Sequence, residues 1–172
     1  MMLEDHSGDL SAELLSNIEA DSYWGLDTIL SRIQDNYTFD QKGITTKLDK
    51  MERMMELIDP ELSQHIRDND IIFLQFAFRW INCCLLREFP LQIALRLWDA
   101  YISIEDGTGF SDFNIYCCVA LLVHFKPQLL EMDFSEMLQF LQHLPTKDWT
   151  EQNIQVLVSQ AFIFQTNAWV SH

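Results

Sequence analysis

Apolar residues recur at intervals of three and four along nearly the whole chain. Leu10, Leu14, Leu15 and Ile18, followed by Trp24, Leu26, Ile29, Leu30 and Ile33, predict one long helix, or two shorter ones joined near Asp21-Ser22. Asn36 to Gly43 reads as a loop. Leu48, Met51, Met55 and Ile58 then fall on one helical face, with Asp49, Lys50, Glu52, Arg53 and Glu56 covering the other. Asp59-Pro60 restarts the chain as a short helix to about Arg67, because Asp accepts from a first-turn amide and the fixed φ of Pro suits that turn. The segment Ile72 to Phe89 is apolar enough to be buried around much of its circumference.

Pro90 opens the next helix, expected to reach about Glu105, and Asp106-Gly107-Thr108-Gly109 is the clearest turn. Ser111 or Asp112 is expected to cap a helix through Ile115, Val119, Leu122 and Phe125, which Pro127 bends or ends. Asp133 with Glu136 makes a capping-box pattern ahead of Met137, Phe140 and Leu141, and Pro145 closes that helix. Thr150 is expected to cap a last helix striped by Ile154, Leu157, Val158, Ala161 and Phe162. No strand-like alternation of useful length occurs. The fold class is all-α, with about eight helices.

Composition narrows the partners. The chain has 172 residues, 48% of them hydrophobic, which suits one folded domain. Its 11 Lys+Arg against 26 Asp+Glu give −15, a balance that argues against nucleic acid or anionic lipid as the main partner. Glu4, Asp5, Asp9, Glu13, Glu19, Asp21 and Asp27 all precede the first basic residue, Arg32. A solvated acidic lead-in explains them better than an acidic site does.

The N-terminus has neither the basic nor the apolar stretch of a signal peptide, so a cytoplasmic chain is expected. Gln75, Arg79 and Asn82 interrupt the apolar run Ile71 to Leu86, which reads as a buried helix with no direct membrane insertion. Cys83-Cys84 and Cys117-Cys118 are adjacent pairs. Neighbours on a helix point about 100° apart, so these are read as reduced packing residues rather than metal ligands or disulfides. His6, His65, His124, His143 and His172 show no ligand spacing, and no nucleotide-binding or nucleophile motif is present. Neither a metal nor a cofactor is expected.

The unusual chemistry lies between Phe76 and Asp99. Arg79, Arg87 and Arg96 stand inside apolar segments expected to be buried, with Glu88 and Asp99 as the nearby acids. A buried Arg must be paired, and Arg96 and Asp99 share a helix face. Two readings stay open. These five residues form a salt-bridged polar seam between packed helices, or the guanidinium groups are offered to a partner's phosphates or acids. The structural reading is the stronger.

The same residues carry a family resemblance. Phe76-Ala77-Phe78-Arg79-Trp80, Leu86-Arg87-Glu88-Phe89-Pro90 and Leu95-Arg96-Leu97-Trp98-Asp99, in that order, resemble the second half of a TBC domain, the all-helical domain of Rab GTPase-activating proteins. Ile18-Glu19-Ala20-Asp21-Ser22-Tyr23-Trp24 and Ile33-Gln34-Asp35-Asn36-Tyr37-Thr38-Phe39 resemble the TBC1 domain family member 22 group in particular. The likeness runs from about Asp9 to Phe162. It implies a lead-in over 1–10, the C-terminal part of a TBC domain over 11–166 and a short tail over 167–172.

The resemblance further implies a Rab-family GTPase as partner and a role in vesicle trafficking, peripheral at Golgi or endosomal membranes through partners. Family members supply an Arg from I-x-x-D-x-x-R and a Gln from Y-x-Q-G to the GTP site. In this sequence the one I-x-x-D-x-x frame, Ile18 to Trp24, ends in Trp, and no Tyr is followed two positions later by Gln. No catalytic residue is therefore carried over, and the chain is expected to be inactive alone as an activator. The alternatives are a non-catalytic Rab- or protein-binding module, or a truncated form without independent activity. A Rab contact is expected first at Gln34, Asp35, Asn36, Tyr37 and Phe39, against the simpler possibility that Tyr37 and Phe39 pack within their own loop.

Overall fold

In the computed structural model, residues 11–39 and 42–170 are described, those from 168 onward by backbone alone. The acidic stretch 1–10, with His6, and the final residue His172 lie outside them. The chain divides into two compact units, residues 1–32 and 33–172.

The described part of the first unit is a single helix, α1 (Ala12–Ile33), without a break at Asp21-Ser22. The Ser11 Oγ accepts from the Leu14 amide at 3.2 Å and opens the helix. Leu14, Leu15, Ile18, Trp24 and Leu26 all stand exposed along it. Ile33, its last residue, is buried and belongs to the second unit.

The second unit is built around α6 (Asn114–His124), whose residues from Asn114 to Leu122 are all buried. A helix apolar all round must be covered on every side. Here α2 (Lys42–Ile58), α4 (Leu74–Asn82) and α9 (Glu151–Val170) supply the cover. The expected stripe of α2 is buried at Leu48, Met51 and Met55, with Ile44 added one turn earlier. On α9, Ile154, Leu157 and Ala161 face inward. Around this core stand α3 (Pro60–Asp68), α5 (Leu91–Ile102), the short α7 (Lys126–Leu129) and α8 (Phe134–Gln142). Nine α-helices and no strand occur among the described residues.

Two helix starts follow the expected chemistry. The Asp59 Oδ1 accepts from the Leu62 amide at 3.0 Å, with Pro60 in the first turn. Asp133 and Glu136 form a reciprocal capping box. Elsewhere the structure departs from expectation. Thr150 does not cap α9 with its oxygen. Its amide and hydroxyl both donate to the Asn153 Oδ1, at 2.9 and 2.7 Å. Neither Ser111 nor Asp112 caps α6. A π turn, Gly109–Phe113, runs straight into that helix and its own carbonyls take up the first amides. The last helix runs to Val170.

The largest departure is at Ile72 to Phe89, which is not one helix. α4 ends at Asn82, and Cys84 (φ 48°) and Leu85 (φ 60°) are both left-handed. The Leu85 amide reaches back to the Trp80 carbonyl at 2.8 Å and the Cys84 amide to Ile81 at 3.2 Å. This is the double closure of a Schellman motif. A residue with a Cβ costs roughly 1–2 kcal/mol in that conformation. Two contacts offset the cost: Leu85 is fully buried, and the Trp98 Nε1 donates to the Cys84 carbonyl at 2.9 Å. The turn swings Arg87 and Glu88 back toward α4.

Candidate functional site

The turn after α4 brings Glu88 onto Arg79. The Arg79 Nε and Nη2 donate to the two carboxylate oxygens at 2.7 and 2.8 Å, a bidentate pair. Nη2 also donates to the Gln142 carbonyl at 2.7 Å, fastening α4 to the end of α8. The Glu88 side chain is 2% exposed and that of Arg79 33%. Hydrogen bonding to Glu88 raises the Arg79 pKa against the opposing pull of burial. The Thr146 hydroxyl donates to the Glu88 carbonyl oxygen, which pins the segment after α8 to the same point.

The five arginines and acids expected in one seam separate into distinct groups. Arg79 and Glu88 form the half-buried pair. Arg87, expected to be buried, is exposed and lines a cleft of about 520 Å³ together with Arg79, Glu88, His143 and Lys147. Arg96, also expected to be buried, is 57% exposed on α5. It meets Asp99 at 3.5 Å and, across on α9, Glu151 at 3.1 Å. α5 turns this face outward, so the trio is a surface cluster of the kind that contributes little to stability.

The loop expected to meet a Rab is partly anchored. Gln34–Tyr37 forms a 3-10 turn in which Asn36 is buried. The Asn36 Oδ1 accepts from the Lys47 Nζ at 2.6 Å. Burial lowers the Lys47 pKa, with Cys84 and Asp112 opposing. The Tyr37 hydroxyl donates to the Asn82 carbonyl at 2.9 Å and so ties the turn to the end of α4. Burial raises the pKa of that hydroxyl. The ring of Tyr37 is still about half exposed, and Phe39 is fully so. Gln34 and Asp35 are exposed as well. The turn is thus a fixed base carrying aromatic groups in solvent.

Other reactive groups serve the fold. All four cysteines are free thiols. Burial pushes Cys84 up to about 12 and also raises Cys117 and Cys118 above the ordinary thiol value. The His65 Nε2 lies 3.0 Å from the Leu129 carbonyl oxygen and 3.3 Å from that of Met132, joining α3 to the segment around α7. His124 packs against the rings of Phe125 and Trp149. Among the described residues no group of three or more His, Cys, Asp or Glu is placed to hold a metal ion, and no helix is long and apolar enough to cross a membrane. Gln142, Thr146, Lys147 and Glu151 carry no local motif. Only the packing of α8 and α9 brings them to these sites.

Residues 7–130 match the family model of the Rab-GTPase-TBC domain. The chain is 46% identical over 159 residues to TBC1 domain family member 22A of Homo sapiens, covering 92% of this chain and 30% of that protein. It is 42% identical over 151 residues to the GTPase-activating protein gyp1 of Schizosaccharomyces pombe, covering 88% and 29%. Its backbone superposes on the crystal structure of the Ypt/Rab-GAP domain of Gyp1p with a TM-score of 0.87 at 41% identity, over 92% of this chain and 49% of that one. The chain therefore spans about 30% of the length of these curated relatives.

Proposed function

The chain belongs to the Rab-GTPase-TBC domain family, and on that premise we propose that its 172 residues form a Rab-recognising part of a GTPase activator that does not itself accelerate hydrolysis. The observation behind this reading is in the sequence. None of the 172 residues forms an I-x-x-D-x-x-R or a Y-x-Q-G, the motifs that the family uses to reach the GTP.

The chemistry needs both groups. An inserted guanidinium neutralises charge on the transferred phosphoryl group, and a carboxamide orients the attacking water; the guanidinium alone supplies on the order of 10³–10⁵ in rate. Three arginines of this chain are already committed: Arg79 to Glu88, Arg96 to Glu151, and Arg67 to Glu56. The test is single-turnover GTP hydrolysis over a Rab panel. We expect the intrinsic rate with or without the chain. Clear stimulation would sink the proposal.

Recognition without catalysis is favoured by the Gln34–Phe39 turn. Its base is fixed by Asn36 and Tyr37, while Phe39 is held in water. Exposed aromatics on a rigid base are typical anchors of interfaces. A pull-down with GTP-loaded Rabs should retain the chain, and Phe39→Ala should reduce retention. No retention across the panel would remove this part of the reading. Peripheral placement at Golgi or endosomal membranes would follow from such partners.

A further inference from the structure

We propose that the groove between α4 and the segment after α8 binds an extended peptide of a partner protein, with an acidic residue next to an apolar one. The groove is separate from the Gln34–Phe39 turn and does not depend on Rab recognition.

The charge argument comes first. Of the 11 Lys and Arg, only Arg53, Arg87 and Lys147 have no ion-pair or hydrogen-bond partner among the described residues. Two of those three, Arg87 and Lys147, line one cleft. Its one acid, Glu88, is already held by Arg79. Asp148 follows Lys147 but does not line the cleft. The wall thus has uncommitted positive charge in a chain of net charge −15. Arg79, whose charge Glu88 balances, adds a hydrogen-bond donor rather than charge, because no described residue accepts from its Nη1.

The shape argument comes second. A neighbouring cleft, also of about 520 Å³, shares Arg79, Gln142 and His143 with the first. Beyond those shared residues it is walled by Leu74, Gln75, Phe76 and Phe78, with neither Arg87 nor Lys147. Leu74 is exposed and Phe78 half-buried. Where the two halves meet, the floor is stapled: the Gln142 Nε2 donates to the Gln75 carbonyl at 3.1 Å, and the Gln142 carbonyl accepts from Arg79. A cationic half beside an apolar half, over a fixed floor, matches a carboxylate side chain followed by a large apolar one. A free anion would use the first half only. Acidic-motif recognition by Arg and Lys is an established mode of peptide binding.

The test titrates the complete ¹⁵N-labelled chain with three probes and follows amide shifts. The probes are a peptide with Asp-Glu followed by Leu-Phe, a peptide with Asp-Glu followed by Gly-Gly, and inorganic phosphate. We expect the first to shift residues of both halves, around Leu74, Phe78, Gln142 and Lys147. It should bind at least about tenfold tighter than the other two and weaken between about 50 and about 300 mM NaCl. Arg87→Glu with Lys147→Glu, both at exposed positions, should weaken it at least about tenfold without changing the melting curve. Phe78→Ser should remove the advantage over the Gly-Gly peptide. Equal binding of phosphate would make the cleft a small-anion site and overturn the proposal. So would equal binding of the Gly-Gly peptide, or no shift with any probe.

Discussion

Replacing Arg79 by Met tests the organising role of the α4–α8 junction. Met keeps the apolar stem and removes the guanidinium, leaving Glu88, 2% exposed, without its cation. Breaking a fully buried pair in this way costs about 3–5 kcal/mol. Water reaches Arg79, which is 33% exposed, so the expected loss here is about 2–3 kcal/mol, the bond to the Gln142 carbonyl included. For a unit of this size that lowers the melting temperature by roughly 7–10 °C. Glu88→Gln should cost less, about 1–2 kcal/mol, because the orphaned Arg79 is the better solvated partner. The assay is urea unfolding of the wild type, both single variants and the double variant. A double-mutant cycle should return a coupling of about 1–2 kcal/mol. A loss below about 0.5 kcal/mol for Arg79→Met, or a smaller loss than for Glu88→Gln, would show the pair to be screened by solvent and would refute the reasoning.

Three further outcomes are expected. At pH 7.5 iodoacetamide should label Cys83, which is half-buried, while Cys84, pushed up to about 12, and Cys117 and Cys118 stay protonated and shielded; mass spectrometry showing four rapid adducts on the folded chain would contradict this. Gly109→Ala should cost at least about 2 kcal/mol in urea, since its Cβ would stand 1.9 Å from the Tyr101 carbonyl oxygen and only backbone movement relieves that; an unchanged midpoint would mean the π turn is not held as described. Burial holds His124 below its ordinary 6.5, so its contribution to stability is present above that pH and lost as pH falls through the folded-state value; the drop in urea midpoint from pH 7.5 to 5.5 should be smaller in His124→Phe, and an equal drop would assign it elsewhere.

The helices that were legible announced themselves locally. Asp59-Pro60 and Asp133 with Glu136 act within four residues, and the stripe of α2 needs only its own spacing. The turn at Cys84-Leu85 was hidden because the usual signal is glycine and both residues are apolar. It read as more helix. The π turn was hidden for the converse reason: Ser111 and Asp112 look like caps, but Gly109 packed on Tyr101 decides the path. At the site, Arg79, Arg87 and Glu88 stood out as charges in an apolar run. All were expected in buried segments; that Glu88 is buried while Arg87 is exposed was not legible, since it depends on how α8 and the segment after it pack. The pairing of Arg79 with Gln142 spans 63 residues and that of Arg96 with Glu151 spans 55, distances at which a single sequence carries no register.

The full enclosure of α6 also bears on how the unit folds. Its cover comes from residues 42–58 and 74–82 on one side in sequence and 151–170 on the other. A segment that apolar gains little from becoming helical alone, because its faces stay in water until these neighbours arrive. Docking those neighbours closes long loops before any reward is collected, which slows the search. Native-state hydrogen exchange should therefore find the Ile115–Leu122 amides opening only with global unfolding. Ribosome-bound chains should acquire protease resistance only once the last helix has emerged from the exit tunnel.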